Sequence, residues 1–164
     1  MLDFVRPKLY SPAINRIDPR ELRVRGVRGA IVDLDNTLVG FRALEPLEED
    51  ARWVRRAADA GVQVVVLTNN GTPWASEVAK NLGVPCIPRA RKPLPGGFRR
   101  ALKVLELEPH EVVVIGDQLF TDVLGAKLAG LDVILVDPLV RHDPWNTRPL
   151  RWIERIVMRG VPRA

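Results

Sequence analysis

Apolar residues along this chain fall into two kinds of run: short continuous blocks, and longer stretches with a helical period. Gly29 to Asp35, built on Ala30-Ile31-Val32, is one block. Val62 to Leu67, Glu111 to Ile115 and Leu131 to Val136 are others, and Val84 to Pro88 is a shorter one. Dense, valine-rich blocks of this length read as buried strands. The stretches between them read as helices. Pro46 to Ala60 carries Leu47, Ala51, Val54 and Ala58 at helical spacing, with Glu48, Glu49 and Asp50 at its start, Arg55 and Arg56 later, and Gly61 behind it. Acids early and bases late suit the helix dipole, and glycine suits the stop. Thr72-Pro73 opens a helix that runs to about Asn81-Leu82, where Gly83 ends it. Gly96 to Leu107 turns Phe98, Leu102 and Leu105 inward; Leu119 to Ala129 closes at Gly130; Pro149 to Met158 is a last helix.

Strands that alternate with helices predict an α/β fold with a single doubly wound, mainly parallel sheet, covered on both faces. With 164 residues and no repeat, low-complexity stretch or linker, residues 1–164 are expected to form one domain. Residues 1–28 read as a basic lead-in wrapped around its outside. No apolar run approaches the length of a membrane span. MLDFVRPKLY has no apolar core of a secretory signal, so a cytoplasmic protein is expected. The one cysteine, Cys86, sits among Val84, Pro85 and Ile87 and reads as a buried structural thiol. A net charge of +5, mostly arginine, points to an anionic partner without naming it.

Ligands of an open parallel sheet bind beyond the carboxyl ends of its strands. There the first long strand meets Asp33-Leu34-Asp35-Asn36-Thr37, the second meets Thr68-Asn69-Asn70-Gly71, and a later one meets Gly116-Asp117; Lys92 follows the short strand. Asp, Asn and Thr are ordinary turn and cap residues one at a time. Their gathering on one edge is not ordinary. Asp33 and Asp35, two apart on a strand, start on the same face, and Asp117 beside them makes a patch that needs a cation. A hard, oxygen-seeking ion fits, and Mg²⁺ is the natural choice. Zinc does not, since there is one cysteine and His110 and His142 fall in predicted loops. Thr68, Lys92 and the amides of the Asn69-Gly71 turn are placed to hold phosphate oxygens, helped by the start of the next helix. One carboxylate can attack phosphorus and a second can carry protons.

These residues bear a resemblance. Asp33-Leu34-Asp35-Asn36-Thr37-Leu38 resembles the first motif of the haloacid dehalogenase superfamily, DxDx(T/V). Val64 to Thr68 resembles the second, Lys92 in Arg91-Lys92-Pro93 the third, and Gly116-Asp117 through Asp122 the fourth. LDNTLV, ARKP and GDQLFTDVLGAKLAG further resemble the YqeG-type branch, over nearly the whole chain. The resemblance implies a Mg²⁺-dependent phosphatase working through an aspartyl phosphate. Asp33 would be the nucleophile and a metal ligand. Asp35 would be the acid/base and give its carbonyl to the metal. Thr68 and the backbone at Asn69 would bind the phosphoryl group, as would Lys92. Asp117 would be a metal ligand, and Asp122 would support from behind.

Neither stretch between these motifs has room for a cap domain, so an open site and a bulky substrate are expected. The YqeG-type branch is similar to phosphatases of phosphatidylglycerophosphate, which implies an anionic lipid headgroup at the inner face of a membrane and a place in phospholipid biosynthesis. Arg6, Lys8, Arg16, Arg20, Arg23, Arg25 and Arg28 fit such a surface, as does a basic helix over 148–160 with Arg148, Arg151, Arg155, Arg159 and Trp152. The same helix also suits ordinary packing with solvated arginines. A soluble phosphometabolite, a nucleotide or a nucleic-acid end would use the same residues, and a non-catalytic phosphate- or partner-binding protein stays open. A signalling receiver domain fits poorly, because the strand after the acidic pair ends in Thr68. There is no GxxxxGK(S/T), which removes the P-loop enzymes.

Overall fold

A computed structural model describes residues 5–40, 43–140, 157–158 and 160–164. Its strands are β1 (Leu9–Ser11), β2 (Gly29–Val32), β3 (Gln63–Leu67), β4 (Cys86–Ile87), β5 (Val112–Gly116) and β6 (Asp132–Val136). Its helices are α1 (Pro19–Val24), α2 (Glu48–Asp59), α3 (Pro73–Asn81), α4 (Pro95–Leu105) and α5 (Leu124–Leu128). The strands make one sheet in the order β1-β6-β5-β2-β3-β4, and every pairing is parallel.

Strand residues alternate between two cores, as the pleat requires. Ala30 and Val32 of β2 join Val64, Val66, Val113 and Ile115 on the face covered by α1, α2 and α3. Ile31 joins Val65, Val112 and Val114 on the face covered by α4 and α5. Helix starts follow local chemistry: Asp18 accepts from the Arg20 N–H at 2.9 Å to cap α1, and proline opens α1, α3 and α4.

Three expectations change. The lead-in does more than wrap the outside. It supplies β1 to the sheet, and Ile14, Ile17 and Leu22 are buried in the core. Trp53 explains the docking, because its buried indole N–H donates to the Ile17 carbonyl at 2.9 Å. The described tail caps this edge, with the Tyr10 N–H on Pro162 and the Ala164 N–H on Tyr10. The buried face of α2 is also rotated, to Asp50, Trp53, Val54 and Ala57, while Leu47 is exposed. The large indole decides the face, and it overrides the small residues Ala51 and Ala58. The helix expected from Leu119 begins as a π turn, Leu119–Val123, before α5. Most of the helix expected over Pro149 to Met158, with its arginines and Trp152, lies outside the described residues.

From Asp35 to Thr68 the chain provides a loop, α2 and β3; from Thr68 to Lys92 it provides α3 and β4. No cap domain is inserted, and the carboxyl edge stays open.

Candidate active site

β2 lies between β3, which follows it, and β5, which the chain reaches only after crossing back over the sheet. The order therefore reverses between β2 and β5, and their carboxyl ends part to leave a crevice. Asp33 stands at the end of β2, with its N–H on the Ile115 carbonyl at 2.9 Å. Asp117 follows β5.

Lys92 fills the space between two acids. Its ammonium donates to Asp33 Oδ1 and, at 2.7 Å, to Asp122 Oδ1. All three side chains are buried, with Lys92 3 % exposed. Asp122 reaches this position because the π turn swings it back under β5. Its other oxygen accepts the Gln118 N–H at 3.1 Å. A Cβ on Gly116 would stand 2.4 Å from Asp122 Cγ, so only glycine leaves room.

Carboxylate oxygens of Asp33, Asp117 and Asp122 lie within 4.8 Å of one another. Three carboxylates against one ammonium leave two negative charges without a partner. Burial, then the neighbouring Asp122, pushes Asp117 up to about 7. Burial also raises Asp33 well above the ordinary carboxylate range, with Asp122 and Asp117 adding to the rise and Lys92 opposing it. Burial alone would lower Lys92, but the Asp33 and Asp122 carboxylates hold it above the usual lysine value. An excess of two negative charges among hard oxygen donors fits a divalent cation of the Mg²⁺ kind. Both Asp122 oxygens are occupied by Lys92 and Gln118. Asp33 Oδ2 has no hydrogen-bond donor among the described residues, so Asp33 and Asp117 are the acids left to face an ion. Among the described residues the softer donors stand apart: His110 is exposed in a 3-10 turn, and Cys86 is half-buried on β4.

Asp35 is not part of this buried patch, contrary to the expectation of a shared strand face. β2 ends at Val32, and the chain turns through Asn36 at φ +65°. Asp35 is therefore exposed on the rim, where Thr68 Oγ1 donates to it at 2.9 Å. Asp122 takes the place in the acid cluster that Asp35 was expected to fill.

Three further residues shape the site. The Asn69 side chain accepts the Lys92 N–H at 2.7 Å and donates to the Lys92 carbonyl at 3.1 Å, clamping the lysine loop to the end of β3. Thr37 is buried and donates to Asp117 at 3.4 Å. Gly116 makes room for Asp122. A threonine where valine also serves reads as packing, so its hydroxyl was not legible. An asparagine beside Thr68 does signal backbone capture, since one amide satisfies both an N–H and a C=O.

An open parallel sheet with a buried acid cluster and a lysine at its switch point defines a hydrolase class. The chain belongs to the haloacid dehalogenase-like hydrolases, whose family model matches residues 13–130. Within them it is 37 % identical to the "Probable phosphatase YqeG" of Bacillus subtilis (strain 168), over 98 % of this chain and 93 % of that protein. This chain too is a phosphatase of the family. It is 30 % identical to "Phosphatidylglycerophosphate phosphatase 1, chloroplastic" of Chlamydomonas reinhardtii, over 90 % of this chain, which spans 59 % of that protein. The fold is shared with the 3-deoxy-D-manno-octulosonate 8-phosphate phosphatase of Yersinia pestis at a TM-score of 0.56, 17 % identity, and coverage of 88 % and 87 %.

Proposed function

We propose that this protein is a Mg²⁺-dependent phosphomonoesterase that works through a phosphorylated Asp33 and removes the terminal phosphate of phosphatidylglycerophosphate. The observation that carries the chemistry is the separation of two carboxylates. Asp33 is buried and ion-paired on one oxygen, with the other free. Asp35 is exposed on the rim, accepting from the Thr68 hydroxyl at 2.9 Å and the Asn70 amide at 3.4 Å. Lys92 and a bound cation would favour the ionised Asp33 that attack requires, against the burial that raises it, while Asp35 stands on the solvent-facing rim where protons exchange.

In this reading Asp33 Oδ2 attacks phosphorus, and the bond from phosphorus to the leaving oxygen breaks. That oxygen takes a proton from Asp35. Asp35 then removes a proton from water, whose oxygen attacks phosphorus and releases Asp33 and inorganic phosphate. Thr68 Oγ1, the backbone N–H at Asn69 and Lys92 hold the phosphoryl oxygens. Asp33, Asp117 and the Asp35 carbonyl would hold Mg²⁺, which would supply positive charge to the phosphoryl oxygens. Asp122 positions Lys92.

The lipid substrate is supported by the name of the Chlamydomonas relative and by the open edge, which suits a substrate that brings its own apolar cover. It implies work at the cytoplasmic face of a membrane, reached peripherally: among the described residues no helix is long and apolar enough to cross one.

The test is phosphate release from phosphatidylglycerophosphate in mixed micelles, with and without Mg²⁺, beside Asp33→Asn protein. Mg²⁺-dependent release by the unmodified protein and none by the variant is expected. Release near the normal rate by the variant would refute Asp33 as nucleophile. Release from soluble phosphomonoesters only would refute the lipid assignment.

A further inference from the structure

Eight large apolar side chains are exposed among the described residues, and they do not scatter evenly. Val24, Val104 and Leu128 lie at or near the last turns of α1, α4 and α5, at the amino edge of the sheet. The other five stand at the carboxyl edge, around the site, four on loops and Phe120 in the π turn. Leu44 and Leu47, 77 % and 59 % exposed, precede α2. Their loop is tied down by the Trp74 indole, which donates to the Leu44 carbonyl at 2.8 Å. Leu94, 59 % exposed, comes two residues after Lys92. Phe120, at 63 % the most exposed aromatic among the described residues, lies between Asp117 and Asp122. Val140 exchanges two hydrogen bonds with the Asn36 side chain, next to Asp35.

The lysine-loop side of this edge is basic, while Glu45, Glu48 and Glu49 flank Leu44 and Leu47. Arg89, Arg91 and Arg100 line an open cavity of about 610 Å³ beside the lysine loop, together with Ala90, Leu94 and Gly97. All three are exposed, and none is ion-paired or hydrogen-bonded through its guanidinium among the described residues. Arg89 is folded across the turn after β3, so near that a Cβ on Gly71 would stand 2.5 Å from its Nε. By contrast, Lys8 and Arg28 of the lead-in are paired with Asp132 and Glu111.

We infer that the carboxyl edge itself docks on an anionic phospholipid surface. The aliphatic tips and Phe120 enter the boundary between headgroups and acyl chains, and the three arginines meet lipid phosphates. Apolar tips beside exposed arginines, unpaired among the described residues, match both layers of such a surface. A nucleic acid would reward the arginines but leave four aliphatic tips without a partner. This docking rests on the proposed lipid substrate and explains how a headgroup reaches an uncapped site without leaving the bilayer.

The test is co-sedimentation with vesicles of one part phosphatidylglycerol to two parts phosphatidylcholine, and with phosphatidylcholine alone. Binding to the mixed vesicles is expected, about tenfold or more weaker on the neutral ones. Leu94→Asp/Phe120→Asp should weaken binding about tenfold or more, and Leu44→Asp/Leu47→Asp, on a separate loop, should act in the same direction. Val24→Asp, at the opposite edge, should bind like the unmodified protein. Thermal melting of each variant identifies any that fails to fold. Equal binding by folded carboxyl-edge variants would overturn the inference, as would no vesicle binding at all. So would a dimer in light scattering that those variants dissociate, since a second copy would then cover the edge. Binding needs no turnover. Protein that docks but leaves phosphatidylglycerophosphate intact loses the substrate reading and keeps this one; hydrolysis of the micellar lipid without docking does the reverse.

Discussion

Replacing Lys92 by methionine removes one positive charge and keeps the length of the side chain. In the native protein that charge stands between Asp33 and Asp122, all three buried, with Asp117 close by. Breaking a buried ion pair from one side costs about 3–5 kcal/mol, because the partners stay buried without compensation. For a chain of this size each kcal/mol lowers Tm by about 2–4 °C, so a fall of roughly 6–20 °C is expected at pH 8 without metal. The loss should depend on pH. Burial and Asp122 already hold Asp117 up to about 7, and burial raises Asp33. Raised acids contribute stability that is present below their unfolded value of about 4 and is lost as pH rises through the folded value. Without Lys92 those folded values rise further, so the deficit should be small near pH 5 and full by pH 8. Mg²⁺ should restore part of it at pH 8, as a substitute cation. Circular-dichroism melts at both pH values, with and without Mg²⁺, measure this. Phosphate release should fall about a hundredfold or more. An unchanged Tm at pH 8, or a deficit that ignores pH, would refute Lys92 as the buried counter-charge.

Gly116→Ala puts a methyl group 2.4 Å from Asp122 Cγ, so Asp122 must leave Lys92 or the strand must shift. A stability loss of about 1–3 kcal/mol with a larger loss of phosphatase activity is expected; normal kcat/KM would show that Asp122 does not position Lys92. Asp50 is buried in α2, with Oδ1 on the Asn15 amide at 2.9 Å and Oδ2 without a partner among the described residues. Burial raises its pKa, against the hydrogen bond from Asn15. Its ionisation should therefore destabilise the fold as pH rises through the raised value, and Asp50→Asn should gain in Tm over the unmodified protein between pH 4 and pH 7. A Tm difference that stays constant across that range would sink the assignment.

The sequence by itself determined strands β2 to β6, the helices between them, the open parallel sheet and the edge on which the chemistry gathers. Blocks such as Val64-Val65-Val66-Leu67 have one stable use, between two layers of helices. Caps, prolines and glycines then punctuate the rest. The four motifs, in order, point to Asp33, Asp35, Thr68, Asn69, Lys92, Asp117 and Asp122.

What the tertiary structure decided was who touches whom. Asp33 and Asp35 are two residues apart, yet one is buried on Lys92 and the other exposed on Thr68, because the strand stops at Val32 and the chain turns at Asn36. Asp122 joins the acid cluster only through a π turn, and local pattern does not distinguish that turn from an ordinary helix. β1 is three residues long, too short to carry a period, and exists because β6 offers it an edge and Trp53 holds the following turn. Local periodicity encodes which face of an element is apolar. Burial of a charge, the partner it finds and the apolar rim around the site depend on segments far apart in the chain, and only the folded packing brings those together.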